Sequence, residues 1–216
     1  MKAILWDLDG TLLDTLDDLT DSVNFALEQG GLAPRARAEV RSFIGGGIRN
    51  LMARAVLDGE GNPAFEVVFA AFHAHYAHNS ANKTRPYPGV DALLEALKAQ
   101  NCRMAIVSNK AEFAVQTLAK AFFPQIGIAV GEREDMAKKP APDGVFAALA
   151  ALGAAPEDAL YIGDSEVDVQ TAANAGVICV CVSWGFRDRT LLEQAGAKYI
   201  VQDVAELRSL LETLCG

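Results

Sequence analysis

The sequence is short of cysteine, histidine and positive charge. Four cysteines and three histidines stand among 216 residues, and 19 lysines and arginines face 28 aspartates and glutamates, for a net charge of −9. That acidic excess argues against a nucleic-acid partner, because a phosphate backbone would be repelled. Cys102, Cys179, Cys181 and Cys215 form no C-x-x-C pair. Cys179 and Cys181 share a face if residues 177–182 are a strand, and all four read as reduced core thiols, not as a disulfide or zinc site. No apolar run approaches the ~18 residues of a membrane span and the start lacks a signal-peptide pattern. The expectation is a cytoplasmic protein with no membrane partner. His73, His75 and His78 lack the i, i+4 spacing that stacks two side chains on one helix face, which argues against a metal site there. Internal repeats and low-complexity segments are also missing.

What the sequence does have is concentrated at its start. Ala3-Ile4-Leu5-Trp6 is an apolar run of strand length that ends in Asp7-Leu8-Asp9-Gly10-Thr11-Leu12. A buried strand delivering acids to a sheet edge has this form. Neighbouring carboxylates repel unless a cation lies between them or one keeps its proton, so Asp7 and Asp9 read as a Mg²⁺ site, an acid–base pair, or both. An isolated Asp-x-Asp is also compatible with an ordinary turn after a strand. Other strand ends must decide.

Residues 14–85 carry helical periodicity and no convincing strand. Thr15 is expected to cap a first helix, with Asp17 and Asp18 as solvated acids at its positive end and Gly30-Gly31 stopping it. Further helices are expected over 38–43, from Ile48 to Val56, and from Phe65 to Tyr76, with Gly45-Gly46-Gly47 and a loop at 58–63 between them. From residue 90 the pattern alternates. Strands at 104–107, 126–130, 159–162, 177–182 and 199–201 are separated by helices at 91–99, 111–121, 143–152, 167–175 and 204–214. Strands without polar alternation, separated by helices, imply a parallel sheet covered on both faces. The fold class is therefore α/β: a doubly wound, Rossmann-like core of residues 1–13 and 86–216, with a helical domain, 14–85, inserted after the first strand.

In such sheets ligands bind beyond the carboxyl ends of the strands. Asp7 and Asp9, then Ser108-Asn109-Lys110, then Gly163-Asp164-Ser165 follow apolar runs at those ends. Lys138-Lys139-Pro140 adds a cation on a loop, where Pro140 biases Lys139 toward an extended backbone.

In order, D-x-D-G-T-L, S-N-K, K-P and G-D-S-x-x-D resemble the four motifs of the haloacid dehalogenase superfamily of phosphatases, and the likeness covers nearly the whole chain. Pro86-Tyr87-Pro88-Gly89-Val90, Ser108-Asn109-Lys110 and Trp184-Gly185-Phe186 are most similar to its phosphoglycolate phosphatases. The resemblance implies that Asp7 is the nucleophile, forming an aspartyl-phosphate, and that Asp9 is the acid and base, with Thr11 helping to orient it. It also implies Mg²⁺ held by Asp7, by the Asp9 carbonyl and by Asp164, with Asp168 supporting the site from one helical turn further on. Ser108 and Asn109 would bond the phosphoryl group and Lys139 would offset its charge. The helical insert resembles a cap domain, in which a loop containing Gly46 would reach the substrate and Arg49 would bind a substrate carboxylate; Lys83 and Arg85 are further candidates. The implied partner is a small phosphorylated metabolite, 2-phosphoglycolate first, and the implied assembly a monomer or homodimer.

Other readings share parts of this pattern. A β-phosphoglucomutase-like enzyme would carry a histidine on the first helix of the insert, and 16–27 has none. A pyrophosphatase is compatible with all four motifs. A receiver-like phosphoacceptor would place its aspartate after the third strand and lack the insert.

Overall fold

The computed structural model describes residues 2–215, with side chains through 214. The chain divides into two units, Met1–Leu13 with Pro86–Gly216, and Asp14–Arg85. In chain order the elements begin with β1 (Ala3–Trp6) and the two-residue β2 (Leu13–Asp14). Next come α1 (Leu16–Gln29), α2 (Arg37–Phe43), α3 (Ile48–Ala55), α4 (Phe65–Asn79) and the two-residue β3 (Arg85–Pro86). They continue with α5 (Val90–Ala99), β4 (Met104–Ala111), α6 (Glu112–Phe122), β5 (Ile128–Glu132), α7 (Asp143–Leu152) and β6 (Ala159–Gly163). The last are α8 (Glu166–Ala175), β7 (Ile178–Val182), α9 (Arg189–Gln194), β8 (Tyr199–Val201) and α10 (Val204–Cys215). β2 and β3 pair with each other at the two places where the chain passes between units.

The first unit is built on a six-stranded sheet in the order β5-β4-β1-β6-β7-β8, with every neighbouring pair parallel. The chain steps outward from β1 to β4 and β5, then returns to the other side of β1 for β6, β7 and β8. Direction therefore reverses between β1 and β6, which is where an open α/β sheet leaves a crevice for a ligand. β1 is wholly buried. Its alternate residues feed two cores: Ile4 and Trp6 pack with α5, α6 and α10 through Leu94, Leu118 and Leu207. Ala3 and Leu5 pack with α7 and α8 through Val145, Leu149 and Ala172. Burial on both faces explains why these strands show no polar alternation. Among the described residues no helix is long and apolar enough to cross a membrane.

The second unit is a four-helix assembly whose α4 buries Phe65, Val68, Phe72 and Tyr76, a side-chain set worth about 3 kcal/mol for each large group removed from water. Two expectations for α1 need correction. Thr15 makes no side-chain capping bond; its hydroxyl is buried without a partner, and the Asp14 carboxylate instead accepts from Leu16 N–H at 3.2 Å. Asp18 is not solvated. It is 2% exposed and accepts from Lys83 N–H at 2.9 Å and Thr84 N–H at 2.8 Å, satisfying backbone donors of the segment that runs into β3. Asp18→Ala would leave the buried Thr84 N–H and the part-buried Lys83 N–H without this acceptor. The expected outcome is a loss of about 3 kcal/mol of stability, read from urea denaturation against the unaltered protein.

The remaining differences from sequence are small. β5 begins two residues later than the apolar run suggests, α9 carries no expected signal, and β4 runs on through Ser108, Asn109 and Lys110. Cys179 and Cys181 do share a face of β7, with Sγ atoms 3.8 Å apart. The neighbouring Cys181 and burial push the Cys179 thiol well above its ordinary value, and Cys102, Cys179 and Cys181 are all free thiols. The Cys215 side chain lies outside the described residues.

Candidate active site

Continuing the alternation of β1, Asp7 emerges on the side of the sheet that carries α7 and α8. Its amide bonds Ile162 of β6 at 2.8 Å, so the backbone is fixed up to the residue that carries the carboxylate. Asp7 is 6% exposed, and Oδ1 accepts from Lys139 Nζ at 2.7 Å. Lys139 stands on the loop before α7. Its ammonium also donates to Asp168 Oδ1 at 2.7 Å and to the Tyr161 hydroxyl at 3.0 Å. Three acceptors match the three protons of an ammonium, which is what permits a lysine to be buried charged. Burial works to lower its pKa, but Asp168 and then Asp7 outweigh it together, and Lys139 titrates well above its ordinary value.

Asp164 and Asp168 come from the end of β6 and the first turn of α8. Oxygen atoms of Asp7, Asp164 and Asp168 lie within 4.8 Å of one another, and all three residues are buried. Asp168 is wholly enclosed: Oδ1 takes Lys139, while Oδ2 takes the Ser165 hydroxyl at 2.6 Å and the amides of Ser165 and Asp164 at 3.0 and 3.2 Å. Both of its oxygens are thus engaged by protein donors. Asp164 Oδ2 accepts from Phe186 N–H at 2.6 Å. Three glycines make this crowding possible. A Cβ on Gly10 or Gly185 would overlap Asp164, and one on Gly163 would overlap Asp168; Gly10, at φ +89°, also holds a backbone that other residues rarely adopt.

Burial raises Asp7 to about 7, against the pull of Lys139 and with a further push from Asp168. Burial, then Asp168 and Asp7, push Asp164 well up, against the Phe186 amide and Arg187. Counting Asp9 and Lys110, four carboxylates (Asp7, Asp9, Asp164, Asp168) share two ammonium groups, and the raised Asp7 and Asp164 show that the set resists full ionisation without more positive charge. A divalent cation is the charge that balances such a set, and hard carboxylate and carbonyl oxygens suit Mg²⁺.

Asp9 stands beside this group at the start of the next turn, with both carboxylate oxygens 2.9 Å from Lys110 Nζ. Thr11, expected to orient Asp9, does not do so through its side chain. The hydroxyl is fully buried with no partner, while its carbonyl accepts from Trp184 Nε1 at 3.1 Å. Ser108 is 7% exposed, and Oγ accepts from Lys110 N–H at 3.3 Å. Asn109 needs a more specific description than a phosphoryl donor. Its Nδ2 donates to the Lys139 carbonyl at 2.9 Å and its Oδ1 accepts from Lys139 N–H at 2.7 Å, so the amide clamps the backbone that aims Lys139. Gly46 and Arg49 belong to the helical unit. There Gly45 and Gly47 take positive φ between α2 and α3, and Arg49 pairs with Glu60 at 2.8 Å and Glu66 at 2.7 Å, its guanidinium lying over Phe65 and Phe69. In the same unit Lys83 pairs with Asp21 at 2.6 Å.

Three participants escaped the sequence reading. Lys110 was visible in S-N-K but had no evident target. Tyr161 bonds Lys139 and Asp168 from the middle of an apolar strand, where a single hydroxyl was the only signal. The amide of Phe186 has no signature at all, being backbone.

Comparison with known proteins finds relatives along nearly the whole chain. Residues 4–182 match the family of haloacid dehalogenase-like hydrolases. The chain is 35% identical to the phosphoglycolate phosphatase of Nitrosococcus oceani, over 97% of this chain and 96% of that one. It is 36% identical to that of Rhodospirillum rubrum, over 95% and 89%. A crystal structure of a predicted phosphoglycolate phosphatase from Haemophilus somnus superposes with a TM-score of 0.89 at 31% identity, covering 97% of each chain.

Proposed function

Because the chain belongs to the haloacid dehalogenase-like hydrolases, we propose that it is a cytoplasmic, Mg²⁺-dependent phosphatase that hydrolyses a small phosphate monoester, 2-phosphoglycolate first, through an aspartyl-phosphate. The observation that carries the reading is the Asp7 carboxylate, buried at the sheet's point of reversal between the Lys139 ammonium and the Asp164 carboxylate. Phosphoglycolate phosphatases among its relatives support the substrate.

In the first step Asp7 forms an O–P bond as the ester O–P bond breaks, and Asp9 gives its proton to the departing alkoxide. In the second a water attacks the aspartyl-phosphate, Asp9 takes its proton, and inorganic phosphate leaves as the Asp7 carboxylate is restored. Lys139 sets positive charge beside Asp7, where negative charge of nucleophile and phosphoryl group meet, and Ser108 lies ready to donate to a phosphoryl oxygen. Asp7, Asp164 and the Asp9 carbonyl would hold Mg²⁺, which when bound supplies the charge that lets an anionic nucleophile approach an anionic ester. The demand is large: monoester hydrolysis needs accelerations of up to about 10²¹-fold, roughly 28 kcal/mol. Residues 14–85 serve in this reading as the cap that sets selectivity. A substrate carboxylate taken up by Arg49 would compete with Glu60 and Glu66, which pair with it here.

Phosphate release from a panel of phosphorylated metabolites tests the proposal. Highest kcat/KM on 2-phosphoglycolate and no isomerisation of glucose phosphates is the expected result. Preference for pyrophosphate, or isomerisation without release, would replace it.

A further inference from the structure

The end of β4 presents three consecutive polar residues, and each has a separate partner. Ser108 is turned back on the Lys110 amide, Asn109 clamps the Lys139 backbone, and Lys110 reaches Asp9. The Lys110 side chain is 2% exposed and that of Asp9 15%, so the ammonium is enclosed while the carboxylate keeps an opening to solvent. Both Asp9 oxygens lie 2.9 Å from the one nitrogen. That symmetric grip fixes where the carboxylate sits, with both oxygens drawn to one enclosed charge. The Thr11 hydroxyl does not share this task, being buried away from any partner among the described residues.

We propose that Lys110 is the positioning residue of the acid–base carboxylate, holding Asp9 in the place from which it exchanges a proton with the leaving oxygen. The proposal rests on the reading of Asp9 as acid and base. A group that acts only through Asp9 matters in proportion to the need for a proton: an alkoxide cannot leave without one, whereas 4-nitrophenolate leaves readily as the anion. Misplacing a catalytic group by about 1 Å costs on the order of 10²-fold, and that cost should fall selectively on poor leaving groups. A lysine acting on the phosphoryl group itself, or merely supporting the fold, would affect all esters alike.

The test measures kcat/KM for ethyl phosphate, 2-phosphoglycolate and 4-nitrophenyl phosphate in the unaltered enzyme and in Lys110→Met, Lys110→Arg and Asp9→Asn. In Asp9→Asn the alkyl esters should fall by about 10²–10⁴-fold more than the aryl ester. In Lys110→Met the alkyl loss should exceed the aryl loss by about 30-fold, for both alkyl esters, with Lys110→Arg recovering part of it. Equal losses on alkyl and aryl esters in Lys110→Met, beside a selective Asp9→Asn, would overturn the role of Lys110 and leave that of Asp9 standing. A loss confined to 2-phosphoglycolate would overturn it in favour of a lysine that reads the substrate carboxylate. A non-selective Asp9→Asn would overturn the acid–base reading, and the proposal with it. If Lys110→Met does not fold, Lys110→Arg carries the same comparison: a selective loss supports the role and an equal one overturns it.

Discussion

Asp7→Asn is expected to lower turnover by roughly 10⁶-fold while leaving the fold in place, the scale seen when a covalent nucleophile is removed from an otherwise complete site. Asparagine has nearly the shape of aspartate and its amide oxygen still accepts from Lys139, but its carbonyl is far too weak a nucleophile for phosphorus. The fold has reason to tolerate the change. Asp7 is held buried beside Asp168 and Asp164, and burial already drives its carboxyl up to about 7. Neutralising it relieves that crowding, and Lys139 keeps Asp168 and Tyr161 as acceptors. Rapid-quench assays with labelled ester should show no protein-bound phosphate, and the thermal midpoint should fall little or rise. A variant retaining a tenth of normal turnover would remove Asp7 from the chemistry.

Stripping divalent cations with a chelator is expected to have a comparable effect, at least about 10³-fold, with recovery on adding Mg²⁺. Four carboxylates share two lysines, and Asp7 and Asp164, both raised, ionise fully beside an anionic phosphoryl group only if a cation is present. A readout independent of turnover is available, because an ion that binds only the folded protein stabilises it, by about 2.7 kcal/mol at a hundred times its dissociation constant. Saturating Mg²⁺ should therefore raise the thermal midpoint of the unaltered protein. Asp164→Ala should abolish that rise, since both Asp168 oxygens are taken by protein donors, whereas Asp164 accepts the Phe186 amide through Oδ2 and offers an oxygen to the cluster with Asp7. A midpoint indifferent to Mg²⁺ in both proteins would count against a metal held here.

Much of this was legible in the sequence because a doubly buried parallel strand leaves a plain trace. Ile4 to Trp6 and, but for the Tyr161 hydroxyl, Leu160 to Ile162 are apolar, so the abrupt polarity of Asp7 and Asp164 marks the strand ends, the edge at which open α/β sheets bind their ligands. Direction of side chains is harder. Asn109 and Lys110 sit one residue apart on a strand and so face opposite ways, but only the assembled sheet tells that one meets the Lys139 loop and the other the Asp9 turn. Asp18 was misread for a related reason: an acid in a first helical turn is usually solvated, and its burial depends on residues 83 and 84, which are remote in sequence. Thr15 fits the pattern of a cap, yet the neighbouring Asp14 does that work.

The order of the strands has a consequence for how the protein comes into being. β1 is made before the other strands of its sheet, and its two neighbours, β4 and β6, are encoded about 100 and 155 positions later. A ribosome extending the chain from its amino end completes the contiguous helical segment 14–85 well before it delivers residues 159–163. Until then Asp7 has no strand on one flank and no Asp164 beside it. Catalytic competence therefore arrives late in synthesis, and a nascent chain arrested before β6 should hold a folded insert but an unfinished sheet.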